Sequence, residues 1–158
     1  MIQEYFTVRL STEIHLGLAL EDMATVAQFA QRDICLVPGV APFWYGVINF
    51  KGSLLWVLDC RRFFNLNSQE ELLKSQLTSV VLTHNLAGNI KKVALVVQQL
   101  SGIISVDLDK STPVSASLSS ALQSLCTAVV EKDGKTICIL NTEAFLEQIY
   151  QQSPLMAA

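Results

Sequence analysis

The sequence predicts an all-β fold with short helices, organised as small antiparallel barrels. Apolar residues alternate along about eight to ten short runs at intervals of about 8–12 residues, and tight turns join the runs. The strongest turn signal is Asp133-Gly134, because Asp-Gly between apolar runs favours a two-residue hairpin. A chain of 158 residues is long enough to bury a core without disulfides or metals.

The first forty residues predict one hairpin and one ambiguous segment. Strands are expected at Tyr5–Leu10 and Ile14–Leu20, where alternate residues are apolar and a polar turn lies between the runs. Residues 21–30 suit either a helix or a strand, because their apolar residues fit both periods. Ile34–Val37 is expected to be a short strand that ends at Pro38.

The central segment predicts a second hairpin. Gly46–Phe50 and Ser53–Asp59 are apolar runs on either side of Lys51-Gly52, where the glycine can take the positive φ of a tight turn. A helical turn is expected at Arg61–Leu66. Asn67–Leu77 is the most polar stretch and is expected to be a surface loop with some helix.

The remaining chain continues the strand pattern and ends in a helix. Serine-rich residues 111–125 are expected to form a loop and a short helix. Asn141 is expected to cap a C-terminal helix with one apolar face. The expected strands are Ser79–Thr83, Lys91–Gln98, Leu100–Leu108, Thr127–Glu131 and Thr136–Leu140, with turns at 87–89 and 133–134.

The composition excludes several classes of function. The net charge is −3 and no basic run exceeds two residues, so the clustered cations that nucleic-acid binding needs are missing. The N-terminus does not resemble a signal peptide, and the uncharged run 34–50 holds prolines and glycines that a membrane helix tolerates poorly. We therefore expect a cytoplasmic protein that neither binds nucleic acid nor inserts into a membrane. Charged residues make up 16% of the chain, against about 25% in an average domain, so either the core is large or a partner covers apolar surface.

No motif indicates a metal, a nucleotide or a catalytic centre, and we expect no cofactor. The cysteines form no C-x-x-C pair and have no metal-ligand spacing to a histidine, so buried free thiols are expected. His15 and His84 are expected to be surface or half-buried strand residues. The four cysteines are Cys35, Cys60, Cys126 and Cys138.

An aromatic cluster is the main positive feature of the sequence. Phe43, Trp44 and Tyr45 are consecutive in a loop with proline and glycine, and Phe50 and Trp56 follow in the next hairpin. Three consecutive aromatic side chains are not expected to face one core. Some should wedge between two lobes, and one or two should form a hydrophobic anchor for a partner, since Trp and Tyr are frequent at interface hot spots.

Four sequence blocks occur in a set order along the chain, and that order is the main evidence for a family resemblance. The most specific runs from Val37-Pro38 and Pro42 through Gly46-Val-Ile-Asn49 and Lys51-Gly52 to Val57-Leu-Asp59 and Arg61. The others are the opening strands at 5–18, the apolar segment 93–103, and the closing strand and helix at 137–146. Together these blocks resemble the CheW-like family of chemotaxis adaptors over residues 4–150.

The resemblance implies one domain over residues 4–150 and a tail at 151–158. The domain would consist of two linked five-stranded SH3-like β-barrels, with lobes near 14–78 and 1–13 plus 79–150. It also implies a non-enzymatic adaptor that couples the cytoplasmic tip of a methyl-accepting chemoreceptor to the regulatory domain of a CheA-type histidine kinase, in chemotaxis, phototaxis or pilus motility. The partner-binding residues carried over by position are Gly46, Val47, Asn49, Phe50, Lys51, Gly52, Asp59 and Arg61, with Phe43, Trp44 and Tyr45 as a candidate anchor.

Several positions depart from the family's pattern. Lys51 stands where arginine is usual and lacks its planar fork of donors. Gln98 and Asn141 stand where aspartate is usual, and Thr25 stands where glutamate is common. Trp56 and the Phe-Trp-Tyr loop resemble variants of pilus-motility systems. These departures bear on which receptor and which kinase the chain binds.

Two other functions remain as alternatives from the residues alone. One is a small-ligand-binding β-barrel sensor that uses the aromatic cluster as its pocket. The other is an enzyme with an activated Cys60 thiol, whose pKa Arg61 would lower and Asp59 would raise. The sequence offers no obvious histidine as the base that such a thiol needs.

Overall fold

Two five-stranded sheets make up most of the computed structural model, which describes residues 2–66, 75–113 and 118–152. The strands are β1 (Ile2–Arg9), β2 (Ile14–Ala19), β3 (Met23–Ala30), β4 (Trp44–Phe50), β5 (Ser53–Asp59), β6 (Gln76–Leu86), β7 (Asn89–Val97), β8 (Gln99–Asp107), β9 (Cys126–Lys132) and β10 (Lys135–Leu140). The helices are α1 (Cys60–Phe63), α2 (Ser120–Leu125) and α3 (Thr142–Gln152). The predicted all-β class with short helices is confirmed.

Each sheet is antiparallel except at one pair of strands. The first sheet has the order β8-β1-β2-β10-β9, and the second has the order β3-β6-β7-β5-β4. β2 runs parallel to β10, and β5 runs parallel to β7. The expected antiparallel barrels thus each contain one parallel pair, and in both cases the two strands are not joined by a hairpin.

The two sheets divide the chain differently from the expected lobes. The first lobe, defined by the first sheet, contains β1, β2 and β8–β10, whereas the second lobe contains the consecutive strands β3–β7. The expected limit at 13/14 separates β1 from β2, which pair with each other, and the expected limit at 78/79 falls inside β6. The hairpins β1–β2 and β6–β7 each keep both strands in one sheet, so the chain passes between lobes near residues 20–22 and 98 instead.

Three hydrophobic clusters fill the fold. Alternation along β7 shows their arrangement: Val93, Leu95 and Val97 face a core shared by both lobes, whereas Ala94 and Val96 face the interior of the second lobe. A smaller cluster fills the first lobe. Because the strands around the shared core are covered on both faces, little surface is left for charge, which accounts for the low charged fraction.

Helix α3 closes the shared core as predicted. The Asn141 side-chain oxygen accepts a hydrogen bond from the Ala144 amide at 3.1 Å, which is the expected N-terminal cap. Phe145, Leu146 and Ile149 are fully buried against the shared core. The helix therefore contributes a packed apolar face to the shared core.

A buried carboxylate ties the connector between the lobes to two other elements. Asp22 lies in a 3-10 turn between β2 and β3 and is only 7% exposed. One of its oxygens lies 2.8 Å from His84 Nδ1 on β6, and the other accepts a hydrogen bond from Thr142 Oγ1 at 2.7 Å. The connector is thereby fixed to the second lobe and to the start of α3.

Three local expectations need correction or fall outside the described residues. Ile34–Val37 is not a strand; only Cys35 pairs, as a single bridge to Val47, and Pro38 lacks the N–H that would continue the ladder. The ambiguous segment 21–30 is a strand from Met23 onward. Most of 67–77, part of 111–125 and most of the tail 151–158 lie outside the described residues.

His15 is buried, contrary to the expectation of a surface or half-buried side chain. It is 3% exposed, because β2 is central in its sheet and both of its faces are covered. His84 matches the expectation of a half-buried residue.

Candidate partner-binding surface

The β4–β5 hairpin ends in a two-residue turn that presents a lysine to solvent. Lys51 and Gly52 both have positive φ, 52° and 81°, as a type I′ turn requires. The Asn49 side-chain oxygen accepts a hydrogen bond from the Gly52 amide at 3.1 Å. The Lys51 Nζ lies 5.2 Å from the centre of the Phe50 ring, within the range of a cation–π contact. The turn therefore holds an exposed positive charge over an aromatic face.

A cavity of about 330 Å³ lies beside this turn. Its lining includes Phe50, Lys51 and Leu54 from the β4–β5 hairpin, Thr25 from β3 and Lys92 from β7. Leu54 is 68% exposed, which is unusual for a large apolar side chain next to a cavity. The surface thus combines two lysines with exposed apolar groups.

Sequence reasoning missed Leu54, although the alternation of β5 contains the signal. Leu55 and Val57 are buried in the interior of the second lobe. Because neighbouring side chains of a strand point to opposite faces, Leu54 must point outward.

Gly46 is a structural residue of this region and makes no surface contact. Its φ is 137°, and a Cβ atom there would overlap the carbonyl oxygen of Cys35. The overlap follows from the bridge in which Cys35 and Val47 exchange two backbone hydrogen bonds of 2.8 and 2.9 Å. Only glycine fits this crossing of two backbone segments.

Asp59 and Arg61 lie at the opposite end of β5 from the turn. The Asp59 carboxylate caps α1 by accepting a hydrogen bond from the Arg61 amide at 3.0 Å. Its ion-pair partner is the side chain of Arg62, with Nε 3.5 Å from Oδ2, and Asp59 itself is buried. Asp59 therefore fixes the backbone turn that follows β5.

Tyr45 belongs to the same buried arrangement. It lies against the interior of the second lobe, and its hydroxyl interacts with the Asp59 carboxylate. Burial, followed by the nearby negative charge of Asp59, raises the pKa of Tyr45 to about 12.

The other aromatic residues of the loop form part of the core. Trp44 is 6% exposed, and its ring lies 5.4 Å from the rings of both Phe43 and Trp56. Phe43 also makes an edge contact with Phe63, with 5.0 Å between ring centres. The expectation that some of these aromatic side chains wedge between the two lobes agrees with this packing. Trp44 is wrong as an exposed anchor, because its ring is enclosed by other aromatic side chains.

The Cys60 thiol is not activated. Cys60 is fully buried, and burial followed by the Asp59 charge raises its pKa well above the ordinary value, which opposes thiolate formation. Cys126 and Cys138 are buried and hydrogen-bonded to each other. Cys35 is exposed, contrary to the expectation of a buried thiol, because its segment is not a full strand.

Among the described residues, no group of three or more His, Cys, Asp or Glu side chains could hold a metal ion. Within the same ranges, no helix has the length and apolar character needed to cross a membrane. The described features define a protein of two small β-lobes with a mixed basic and apolar surface at one hairpin.

The comparisons with known proteins agree with this class. The crystal structure of the scaffolding protein TtCheW from Thermoanaerobacter tengcongensis has a similar fold, with a TM-score of 0.70 and 20% sequence identity over 89% of this chain and 85% of that chain. No curated protein is similar enough to count as a match. The family profile for the CheW-like domain matches residues 4–150. The chain therefore belongs to the CheW-like family, whose members act as scaffolds in chemotaxis signalling.

Proposed function

We propose that this chain is a cytoplasmic signalling adaptor that couples the tip of a chemoreceptor to the regulatory domain of a CheA-type histidine kinase. It performs no chemistry in this role and needs no cofactor. The β4–β5 turn, with Lys51 between Phe50 and the exposed Leu54, is the observation that carries the proposal. Positive charge beside exposed apolar area suits a helical partner with an acidic residue next to an apolar stripe.

The proposed site residues divide into contacts and supports. Asn49, Lys51 and Gly52 are exposed at the turn, so Lys51 contacts the partner and the other two fix its position. Gly46 and Asp59 are buried and act through the backbone geometry of β4 and α1.

The remaining proposed residues are partly exposed. Val47 in β4 and Arg61 after β5 have intermediate exposure, where they border a bound partner. Phe43 and Tyr45 are partly buried and brace the hairpin from within the fold.

Thr25 stands where glutamate is common in the family, and this limits which partner groups fit the cavity. Thr25 lines the cavity beside Lys51, together with Lys92, and none of the cavity's described lining residues is acidic. A glutamate at this position would have neutralised part of that charge. The two lysines are therefore available to a carboxylate supplied by the partner, and we expect the acidic residue on the receptor or kinase side.

The test is a binding measurement with two separate partners, a purified chemoreceptor tip fragment and a kinase regulatory domain. Lys51→Glu should weaken binding of at least one partner about tenfold or more, equivalent to about 1.4 kcal/mol, because it reverses the charge at the contact. Lys51→Arg should preserve or strengthen that binding, since guanidinium keeps the charge and adds a planar pair of donors.

Ala87→Glu is the matched control. Ala87 has φ 53° and precedes Gly88 in the β6–β7 turn, so it occupies the same backbone position as Lys51 in a second two-residue hairpin. Binding of both partners should be unchanged in this variant. Equal affinities of wild type and Lys51→Glu for both partners would reject the proposed surface, and no binding of either partner by the wild type would reject the adaptor role.

The alternative of an aromatic ligand pocket has no support from the geometry. The Trp44 ring packs against the rings of both Phe43 and Trp56 and is buried, so it contributes to the core. The raised pKa of Cys60 likewise does not support a cysteine-dependent enzyme.

A further inference from the structure

The end of the first lobe contains a cavity of about 280 Å³ with a basic lining. Arg9 at the end of β1 lies opposite His15 on β2, and Gln99 on β8 lies opposite Arg9 on its other side. Lys135 begins β10, whose next residues pair with β2 beside His15. Four strands therefore bring these side chains to one place, although they are far apart in sequence.

Two buried nitrogen atoms at this place have no hydrogen-bond partner among the described protein groups. They are Nε of Arg9 and Nδ1 of His15. His15 is buried, with 3% of its surface exposed. Buried polar groups in folded proteins almost always have a partner, and unsatisfied ones mark a bound water, an ion or a functional site.

The two charged groups that shift the pKa of His15 are both positive. Burial, then Lys135, then Arg9 lower the pKa of His15. None of the described residues that line the cavity is acidic, and Glu13 in the adjacent turn is exposed and outside the lining. The fold thus concentrates cationic groups here without a carboxylate of its own, which is unfavourable unless a negative group joins them.

We propose that this cavity binds a small oxyanion, in the form of a phosphate or carboxylate group. Arg9 and Lys135 supply the charge, the hydroxyls of Thr12 and Ser101 supply further donors, and His15 lies at the floor with Nδ1 as a donor. Guanidinium and hydroxyl donors together suit the oxygen atoms of such an anion. The volume lies just below the range of about 300–1,000 Å³ for small-molecule pockets, which limits the ligand to a small molecule.

This site is separate from the surface proposed for partner binding. Lys51 belongs to the second lobe, whereas Arg9, His15 and Lys135 belong to the first. The proposal therefore does not depend on the adaptor role, and the two can fail independently.

The test is an NMR titration of the isotope-labelled full chain with inorganic phosphate and, in a second arm, with malonate. Sodium chloride at the same ionic strength is the reference. Saturable shifts should be confined to residues around the cavity and should include the His15 ring. Bound anion should also raise the pKa of His15, because a negative charge favours the imidazolium form. Binding of phosphate alone would identify the ligand as a phosphate, and binding of malonate alone would identify it as a carboxylate.

Two variants and one control test whether the anion binds in this cavity. Arg9→Met keeps much of the apolar stem and removes the charge, and it should weaken anion binding about 10- to 100-fold. Lys135→Gln changes an exposed residue, so it tests the site even if Arg9→Met fails to fold. Lys110→Gln removes the same charge at an exposed position outside the cavity and should bind like wild type.

Two results would overturn the proposal. One is the absence of localised, saturable shifts with millimolar phosphate and with millimolar malonate. The other is equal affinity in Lys135→Gln and wild type together with an unchanged pKa of His15, which would indicate diffuse attraction to a basic surface.

Discussion

The replacement of Gly46 by alanine should be among the most damaging single-methyl additions in this fold. The new Cβ would overlap the Cys35 carbonyl oxygen and lie 3.2 Å from Ile34 Cγ2, so two backbone segments must separate. Separation breaks the two hydrogen bonds between Cys35 and Val47, each worth about 0.5–1.5 kcal/mol. Alanine at a φ of 137° adds about 1–3 kcal/mol of backbone strain. We expect a total loss of about 2–6 kcal/mol, against a typical stability of about 5–15 kcal/mol.

Urea unfolding followed by tryptophan fluorescence measures this loss directly. Gly88→Ala is the matched control, because Gly88 also has a positive φ of 86° but nothing within 4 Å of an added Cβ. That variant should lose only about 1–2 kcal/mol from backbone strain. If Gly46→Ala were no less stable than Gly88→Ala, the close approach of Cys35 would not be the reason for glycine at position 46.

The structure makes two further predictions, one on pH and one on thiol reactivity. Tyr45 has a folded pKa of about 12 against an ordinary value of 10.0, so its contribution to stability is complete below pH 10 and is lost as the pH rises towards 12. Tyr45→Phe should reduce this alkaline loss of the urea midpoint, with Tyr5 and Tyr150, whose pKa values are also raised, supplying the remainder; an unchanged pH profile would contradict the assignment. A thiol reagent at neutral pH should label Cys35 quickly and the other three cysteines only after denaturation, and rapid labelling of a second native thiol would contradict the burial described above.

The hairpins could be predicted from the sequence because their signals are local. Lys51-Gly52, Ala87-Gly88 and Asp133-Gly134 each join two apolar runs, and all three turns have positive φ at both residues. The cap at Asn141 is also local, since it depends on a side chain and an amide three residues later. Short-range chemistry therefore determined both the presence and the register of these elements.

The incorrect predictions concern features that depend on contacts between residues far apart in the sequence. The burial of His15 results from packing of β2 between β1 and β10, and β10 follows more than a hundred residues later. The burial of Trp44 likewise depends on Phe63 and Trp56 packing around the loop. Alternation reveals that a strand has two faces, but it does not reveal that both faces are covered.

The candidate surface was predicted in part. The family resemblance identified Lys51 and the turn glycine, while the exposed Leu54 and the cavity shared with Thr25 and Lys92 emerged only from the folded chain. A cavity is formed by elements that meet in space, and no spacing within one segment encodes it.

The order of the strands affects how the chain can fold during synthesis and how a lobe could be exchanged between family members. All five strands of the second lobe lie between Met23 and Val97, as an insert in a first lobe whose strands lie on both sides of it in the sequence. All five strands of the insert have been made before β8 begins, so the lobe that carries Lys51 can pair its strands while β2 still awaits β10. Transplanting the insert between family members cuts the backbone at only two places, beside Asp22 and at Gln98, and should carry the Lys51 surface with it while the cavity at His15 stays with the recipient.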